Sequence, residues 1–225
     1  MSRKFDHFLK ILFFLFFARP LVFLILGLQV QNRDRLPRDG PTILVANHNS
    51  HLDTLVLMSL FPLSQLPHIR PVADEQYFLN KNRCLAWMAR HIFEIIPVTR
   101  TVMDTGTVAD TEPRQALSLQ RAFLKTCGSA LSQNTILILY PEGSRGEPEQ
   151  SSEFKSGIAH LAKLHPNVPI VPVYLQGLGK VLPKGDPLLV PFLCRAAIGE
   201  PLYWSGSKQV FLAQLSDRIY SLAQP

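Results

Sequence analysis

The sequence predicts an α/β fold, with a mostly parallel or mixed central sheet flanked by helices and an N-terminal hydrophobic helical segment ahead of it. Three observations predict this. Short, partly β-branched apolar runs (Thr42–Ala46, Thr135–Leu139 and Pro169–Tyr174) alternate with stretches of helical periodicity, the pattern of strands buried beneath helices. The 225 residues suit one domain with a full core. Apolar residues make up 47% of the chain but are densest near its start.

That start reads Met1-Ser2-Arg3-Lys4, then the apolar runs Ile11–Ala18 and Leu21–Leu28, with Arg19-Pro20 between them. No small-x-small cleavage site follows, so a secretory leader is disfavoured. A bilayer span takes about 20 apolar residues, and Ile11 to Val30 just suffices. Arg19 at mid-membrane costs roughly 2.5–3.5 kcal/mol, which the surrounding Leu, Ile and Phe offset. Pro20 weighs further against a single span, because proline breaks or kinks a helix interior. The reading is therefore two short helices hinged at Arg19-Pro20 and lying in one leaflet, with residues 1–34 as a membrane-anchoring segment. Burial in a globular core is disfavoured, since neither run shows a polar face. Flanking charge leaves orientation open: Arg3, Lys4 and Lys10 balance Arg33, Arg35 and Arg38.

Gln31 to Gly40 reads as a linker ending in the turn Asp39-Gly40-Pro41. After the strand Thr42–Ala46 a helix is expected over Thr54–Leu60. Ile69–Ala73 is a short strand that Pro71 restricts to a sheet edge. Cys84–His91 is a helix, Phe93–Arg100 a strand ending in a basic residue, and Thr101–Pro113 an exposed, mobile loop. A helix over Arg114–Leu131, the strand Thr135–Leu139, a short helix Lys155–Leu164 and the strand Pro169–Tyr174 follow. Cys194–Ile198 is a late strand, and Leu212, Leu215, Ile219 and Leu222 form the stripe of a terminal amphipathic helix. Cys84, Cys127 and Cys194 form no CxxC pair or zinc pattern and read as reduced core thiols in a cytosolic setting.

The formal net charge of +6 suggests an anionic partner: a phospholipid surface, a phosphorylated substrate or nucleic acid. Nucleic acid is disfavoured because the basic residues are scattered, with no aromatic-basic motif. Asn47-His48-Asn49-Ser50-His51-Leu52-Asp53 lies at a strand-to-helix turn, where α/β folds often place chemistry. The helix's first turn brings Asp53 back towards His48, giving a base with a carboxylate able to orient it. The structural alternative is a capping box, Ser50 as N-cap and Asp53 capping back, with His51 an ordinary turn residue. A metal on His48, His51 and Asp53 is disfavoured because no further ligands cluster with them. A second turn, Tyr140-Pro141-Glu142-Gly143-Ser144-Arg145-Gly146, follows the strand ending at Leu139. Gly143 permits positive φ and close approach to a ligand, and Arg145 offers a planar fork for phosphate. A serine-hydrolase elbow fails there, because Glu142 stands where G-x-S-x-G requires glycine.

The order of these blocks resembles the glycerolipid acyltransferase family, and most closely its bacterial 1-acylglycerol-3-phosphate acyltransferases. His48-x4-Asp53 comes first, then the strand ending at Arg100, then Pro-Glu-Gly-Ser-Arg from Pro141 to Arg145, then Val-Pro-Ile-Val-Pro-Val from Val168 to Val173. The likeness runs from about Pro41 to Pro201, making residues 35–225 an acyltransferase domain. It implies that His48 is the general base and that Asp53 holds and charges it. Arg100 would contact the acceptor's phosphate, while Glu142, Gly143, Ser144 and Arg145 bind its glycerol-phosphate part. Pro172 would shape the acyl-chain environment. Phe154-Lys155-x-Gly157 fits the stretch that follows the third block. Ser144 stands where threonine is commoner, and the block ending at Arg100 is looser than the family pattern. The implied reaction takes an acyl group from acyl-CoA or acyl carrier protein to a lysophospholipid, 1-acylglycerol-3-phosphate, giving phosphatidic acid without a cofactor. The implied place is the cytoplasmic face of the inner (plasma) membrane. The rival readings are a non-catalytic membrane scaffold and a lipid or thioester hydrolase.

Overall fold

A computed structural model describes residues 3–74, 83–98, 113–143, 153–181 and 193–224. The end of the second block at Arg100, the loop expected before Pro113, and Ser144 and Arg145 of the third block lie outside the described residues.

The chain opens with α1 (Arg3–Phe13), which runs on without a break through π-helical turns at Phe14–Ala18 and Pro20–Ile25. The expected hinge at Arg19-Pro20 is absent; Arg19 is helical at φ −67°, ψ −45°. In an α-helix a proline loses one hydrogen bond and clashes with the carbonyl four residues back. The wider π turn bonds five residues apart and relieves that conflict. One face of this helix is buried, contrary to expectation. Lys10, Phe14, Ala18, Val22 and Leu26 recur every fourth residue and face inward, a spacing between the α and π periods. Phe5, Phe8, Leu15, Phe16, Phe17, Leu24 and Ile25 stay exposed on the other side. A helix apolar all round can pack one face on a core and leave the rest to another apolar medium. The buried Lys10 ammonium pairs with Glu94 at 3.0 Å and donates to the Ile69 carbonyl at 3.3 Å.

Seven strands form the sheet: β1 (Gln29–Gln31), β2 (Thr42–Ala46), β3 (Ile69–Asp74), β4 (Ile96–Val98), β5 (Ile136–Leu139), β6 (Ile170–Gln176) and β7 (Arg195–Ile198). Their order is β1-β7-β6-β2-β5-β3-β4, and every neighbouring pair is parallel except β6–β7. The mixed α/β sheet expected from the sequence is therefore present. β1 falls where the sequence shows only the end of an apolar run and the start of a linker; three residues are too few to show a period. Pro71 does not mark an edge. It is the last residue of β3 paired with β5, and Val72 is the first paired with β4, so its missing N–H falls where the ladder changes partner.

The helices after the first are α2 (Asp53–Ser59), α3 (Arg83–His91), α4 (Pro113–Leu131), α5 (Gly157–Leu164), α6 (Leu178–Val181) and α7 (Lys208–Ser221). One face of the sheet packs on the N-terminal helix and α2, the other on α4, α5 and α7. In α7 the fully buried stripe is Phe211, Leu215 and Ile219, while Leu212 and Leu222 are half-buried. The larger Phe211 takes the inward position that the leucine periodicity suggested for Leu212. Cys127 and Cys194 are buried core thiols as expected, whereas Cys84 is exposed on the first turn of α3. Burial pushes the Cys127 thiol up to about 12 and, with a smaller contribution from Asp53, Cys194 to about 11. Neither forms a thiolate near neutrality.

β2 lies between β6 and β5, with all five residues buried. Its carboxyl end is thereby fixed from both sides, the place where open α/β sheets present ligand sites. The packing beside it is close. A methyl group on Gly199 would meet the Pro172 ring at 2.8 Å and Leu222 at 3.2 Å. Gly199→Ala is expected to destabilise the fold by about 1–3 kcal/mol, read as a lower urea midpoint with unchanged m-value.

Candidate active site

His48 stands two residues past the end of β2, and Asp53 is the first residue of α2. The turn between them closes around one carboxylate oxygen. Asp53 Oδ2 lies 2.9 Å from His48 Nδ1 and accepts the backbone N–H groups of Asn49 at 2.6 Å and Ser50 at 2.8 Å. The carboxylate is fully buried, while the His48 side chain is 21% exposed. An oxygen already accepting two amides is an acceptor for the third contact as well, so Nδ1 carries the proton. Nε2 is the nitrogen left over, and among the described residues nothing bonds to it.

Asp53 both contacts the imidazole and bonds back to the turn, but the residue that precedes α2 is Leu52, so Ser50 is not the N-cap that the sequence suggested. The Asp53 bond back to the Ser50 N–H is made by the same oxygen that holds the imidazole. Ser50 Oγ accepts the Leu52 N–H at 3.3 Å, a purely local turn contact. Among the described residues no group of His, Cys, Asp and Glu side chains is arranged to hold a metal ion.

The turn after β5 brings the second turn of the sequence, Tyr140 to Gly143, to the first. The Gly143 N–H bonds to the Tyr140 carbonyl at 3.1 Å, closing a tight turn with Gly143 at φ +74°, where a side chain would be strained. Glu142 is buried, and its Oε1 accepts the His48 backbone N–H at 3.3 Å and the Tyr220 hydroxyl at 3.5 Å. Its carboxylate thus holds the backbone beneath the histidine. Pro172 is not brought to the same place. Alternating with Val171 and Val173, it points to the sheet face covered by α5 and α7, against Gly199. Arg100, Ser144 and Arg145 lie outside the described residues.

Three further side chains hold the site, and two of them, Asn47 and Asn49, have no local signature of that role in the sequence. Asn47 Nδ2 donates to the Leu175 carbonyl at 2.9 Å, and its Oδ1 accepts the Leu175 N–H at 2.7 Å, so the side chain continues the β2–β6 ladder like one more peptide. Asn49 Nδ2 donates to the same carbonyl at 2.9 Å. The Tyr140 ring stacks on His48, centroids 4.1 Å apart and planes 18° from parallel. Its hydroxyl bonds to Thr54 Oγ1 at 2.9 Å, on the helix that carries Asp53. Burial first, and the Asp53 carboxylate second, push the Tyr140 hydroxyl well above the usual phenol range. It stays neutral beside the imidazole. Its place next to Pro141 and Glu142 is the one hint the sequence offers for Tyr140.

The acyltransferase family model matches residues 27–176, more than half of the chain and both turns. The chain belongs to the acyltransferase family. Among similar proteins, the chloroplastic 1-acyl-sn-glycerol-3-phosphate acyltransferase BAT2 of Brassica napus is 26% identical over 205 residues, 90% of this chain and 52% of that protein. The 1-acyl-sn-glycerol-3-phosphate acyltransferase alpha of Ovis aries is 27% identical over 192 residues, 85% of this chain and 59% of that protein. The chain thus spans about half the length of the curated relatives it matches. The crystal structure of the 1-acyl-sn-glycerophosphate (LPA) acyltransferase PlsC from Thermotoga maritima superposes with a TM-score of 0.66 at 19% identity, covering 99% of this chain and 97% of that one. At that identity the match establishes the acyltransferase fold.

Because Asn47 satisfies both backbone groups of Leu175, Asn47→Ala leaves a buried N–H and a buried carbonyl weakened or unpaired. The expected cost is about 1–3 kcal/mol, measured as loss of unfolding free energy in denaturant.

Proposed function

We propose that this acyltransferase moves a fatty acyl group from a thioester to the hydroxyl of a lysophospholipid, with His48 as general base. The observation that carries the proposal is the 2.9 Å contact between His48 Nδ1 and the fully buried Asp53 Oδ2, which leaves Nε2 open at the end of the central strand. A thioester is already activated, so the reaction chiefly needs the attacking hydroxyl deprotonated as it attacks. The hydroxyl proton passes to Nε2 while its oxygen bonds to the acyl carbon. The tetrahedral intermediate then expels the thiolate, breaking the C–S bond, and the imidazolium returns the proton to sulfur. Asp53 stabilises the imidazolium through the Nδ1–H bond, and no acyl-enzyme forms. General-base catalysis of this kind supplies about 10²–10⁴-fold, and bringing donor and acceptor together supplies more.

The relatives' names support 1-acylglycerol-3-phosphate as the acceptor and phosphatidic acid as the product. For the donor we propose acyl-CoA or acyl carrier protein, used as substrate without any resident cofactor. Arg100, Ser144 and Arg145 are proposed to meet the acceptor's phosphate and glycerol, with Glu142 and Gly143 shaping the turn that presents them. Pro172 supports the acyl-chain environment from within the sheet.

The helix Lys4–Ile25 is long and apolar enough to cross a membrane by length and composition. With one face packed on the domain and the other exposed and apolar, it supports a monotopic seat on a membrane, and we propose the cytoplasmic face of the inner membrane as the place. An acceptor drawn from that bilayer would reach His48 without crossing water.

The test assays the full chain with both donors against a panel of lysophospholipids, products read by mass spectrometry. His48→Ala is expected to lower turnover by at least about 10²-fold with vesicle binding unchanged. Near-normal turnover in His48→Ala contradicts the mechanism. Release of free fatty acid without lysophospholipid consumption supports the hydrolase reading instead, and no acyl transfer with any donor supports the scaffold reading.

A further inference from the structure

The end of α2 remote from His48 carries a feature that acyl transfer does not use. An open groove of about 360 Å³ lies there, with Arg33 and Arg38 beside Leu36, Phe61, Pro62 and Gln65. The other residues that line it are Asp34, Pro37 and Leu60. Arg19, from the middle of the apolar N-terminal helix, reaches the same place and donates to the Phe61 carbonyl. Arg33 donates to the neighbouring Leu60 carbonyl at 3.1 Å.

Those two contacts cap the carboxyl end of α2, which is a sufficient role for one cation there. Three are present. A helix terminus carries about half an elementary charge and Asp34 adds one negative charge to the groove wall, which leaves about half of the positive charge unmatched. Arg35, close by in sequence, is paired with Glu200 at 2.9 Å, whereas among the described residues Arg19, Arg33 and Arg38 have no carboxylate within ion-pair distance. Arg19 Nε and Gln65 Oε1 are buried and without a hydrogen-bond partner. Burial, and then the charge of Arg33, depress the Arg19 pKa, as expected of cations that face one another without an anion. Exposed Phe16 and Phe17 precede Arg19 in the helix, and exposed Leu24 and Ile25 follow it.

We propose that this groove binds one anionic phospholipid of the surrounding bilayer, its phosphate between Arg33 and Arg38 and the start of an acyl chain against Leu36, Pro37 and Pro62. The chemistry is that of a phosphate ester with an apolar tail. Guanidinium forks match phosphate oxygens, the groove's size lies in the range of small-molecule sites, and the exposed apolar ridge of the helix places its mouth at a bilayer. The occupied groove would fix the depth and tilt of the domain on the membrane, at a distance from the reacting atoms. The site does not depend on the acyltransferase reading, since no residue of it takes part in the proposed chemistry.

The experiment titrates the full chain carrying His48→Ala, which separates binding from turnover, with short-chain phosphatidylglycerol below its micelle concentration, followed by calorimetry. Glycerol 1-phosphate is the headgroup-only probe. The expected result is saturable lipid binding that weakens at least about 10-fold in Arg38→Gln and further with Arg33→Gln, with glycerol 1-phosphate at least about 10-fold weaker than the lipid. Among the described residues the Arg38 side chain bonds to nothing in the protein, so Arg38→Gln folds normally and stays informative if Arg33→Gln does not. Arg218→Gln, on the exposed side of α7, removes the same charge elsewhere and should leave binding unchanged. Equal loss in Arg218→Gln, no loss in Arg38→Gln, or equal affinity for lipid and glycerol 1-phosphate overturns the proposal; the last would make the occupant a free phosphate ester.

Discussion

One carboxylate oxygen organises the site. Asp53 Oδ2 takes three donors at once: the His48 imidazole and the backbone amides of Asn49 and Ser50. Charge-assisted bonds of this kind are short and roughly twice as strong as neutral ones. Here they also fix a shape. The two amide contacts wind the chain into the start of α2, and the third holds the imidazole by Nδ1. Removing the oxygen would release helix start, turn and imidazole together, so one contact set holds both the turn and the ring.

A turn held only from within would still be free to pivot on the strand it follows. Two long-range ties stop that. Asn47 is pinned to Leu175 on β6, extending the sheet by one residue just before His48. From the other side, Glu142 holds the His48 amide, and Tyr140 covers the ring while bonding to Thr54 on α2. His48 is thus clamped between β6 and the turn after β5, the two strands flanking β2. That arrangement gives the turn from Tyr140 to Gly143 a structural task that composition alone does not suggest: its carboxylate and aromatic ring support the histidine turn.

The parts legible in the sequence are those encoded over a few residues. Strands buried on both faces announce themselves as apolar runs, and His48 and Asp53 are five residues apart, within reach of a single helical turn. The parts that are not legible depend on partners far along the chain. Asn47 and Leu175 are separated by 128 residues, and His48 and Glu142 by 94; nothing near Asn47 distinguishes a peptide mimic from a surface amide. The N-terminal helix is misread for a different reason. Pro20 counts against α-helical geometry and Lys10 looks like a flanking charge, whereas π turns absorb the proline and Glu94 neutralises the lysine inside the core. Pro71 points to an edge because a proline lacks a donor, but a strand that changes partner midway has one position where no donor is required.

In the proposed mechanism Asp53 sets the tautomer of His48, leaving Nε2 as the base. Nitrogen-15 NMR of the histidine side chains, with His48 assigned by its loss in His48→Ala, tests it most directly. With the ring neutral, the tautomer protonated at Nδ1 is expected, and loss of that preference in Asp53→Ala. A wild-type His48 protonated at Nε2, with Nδ1 bare, would contradict it.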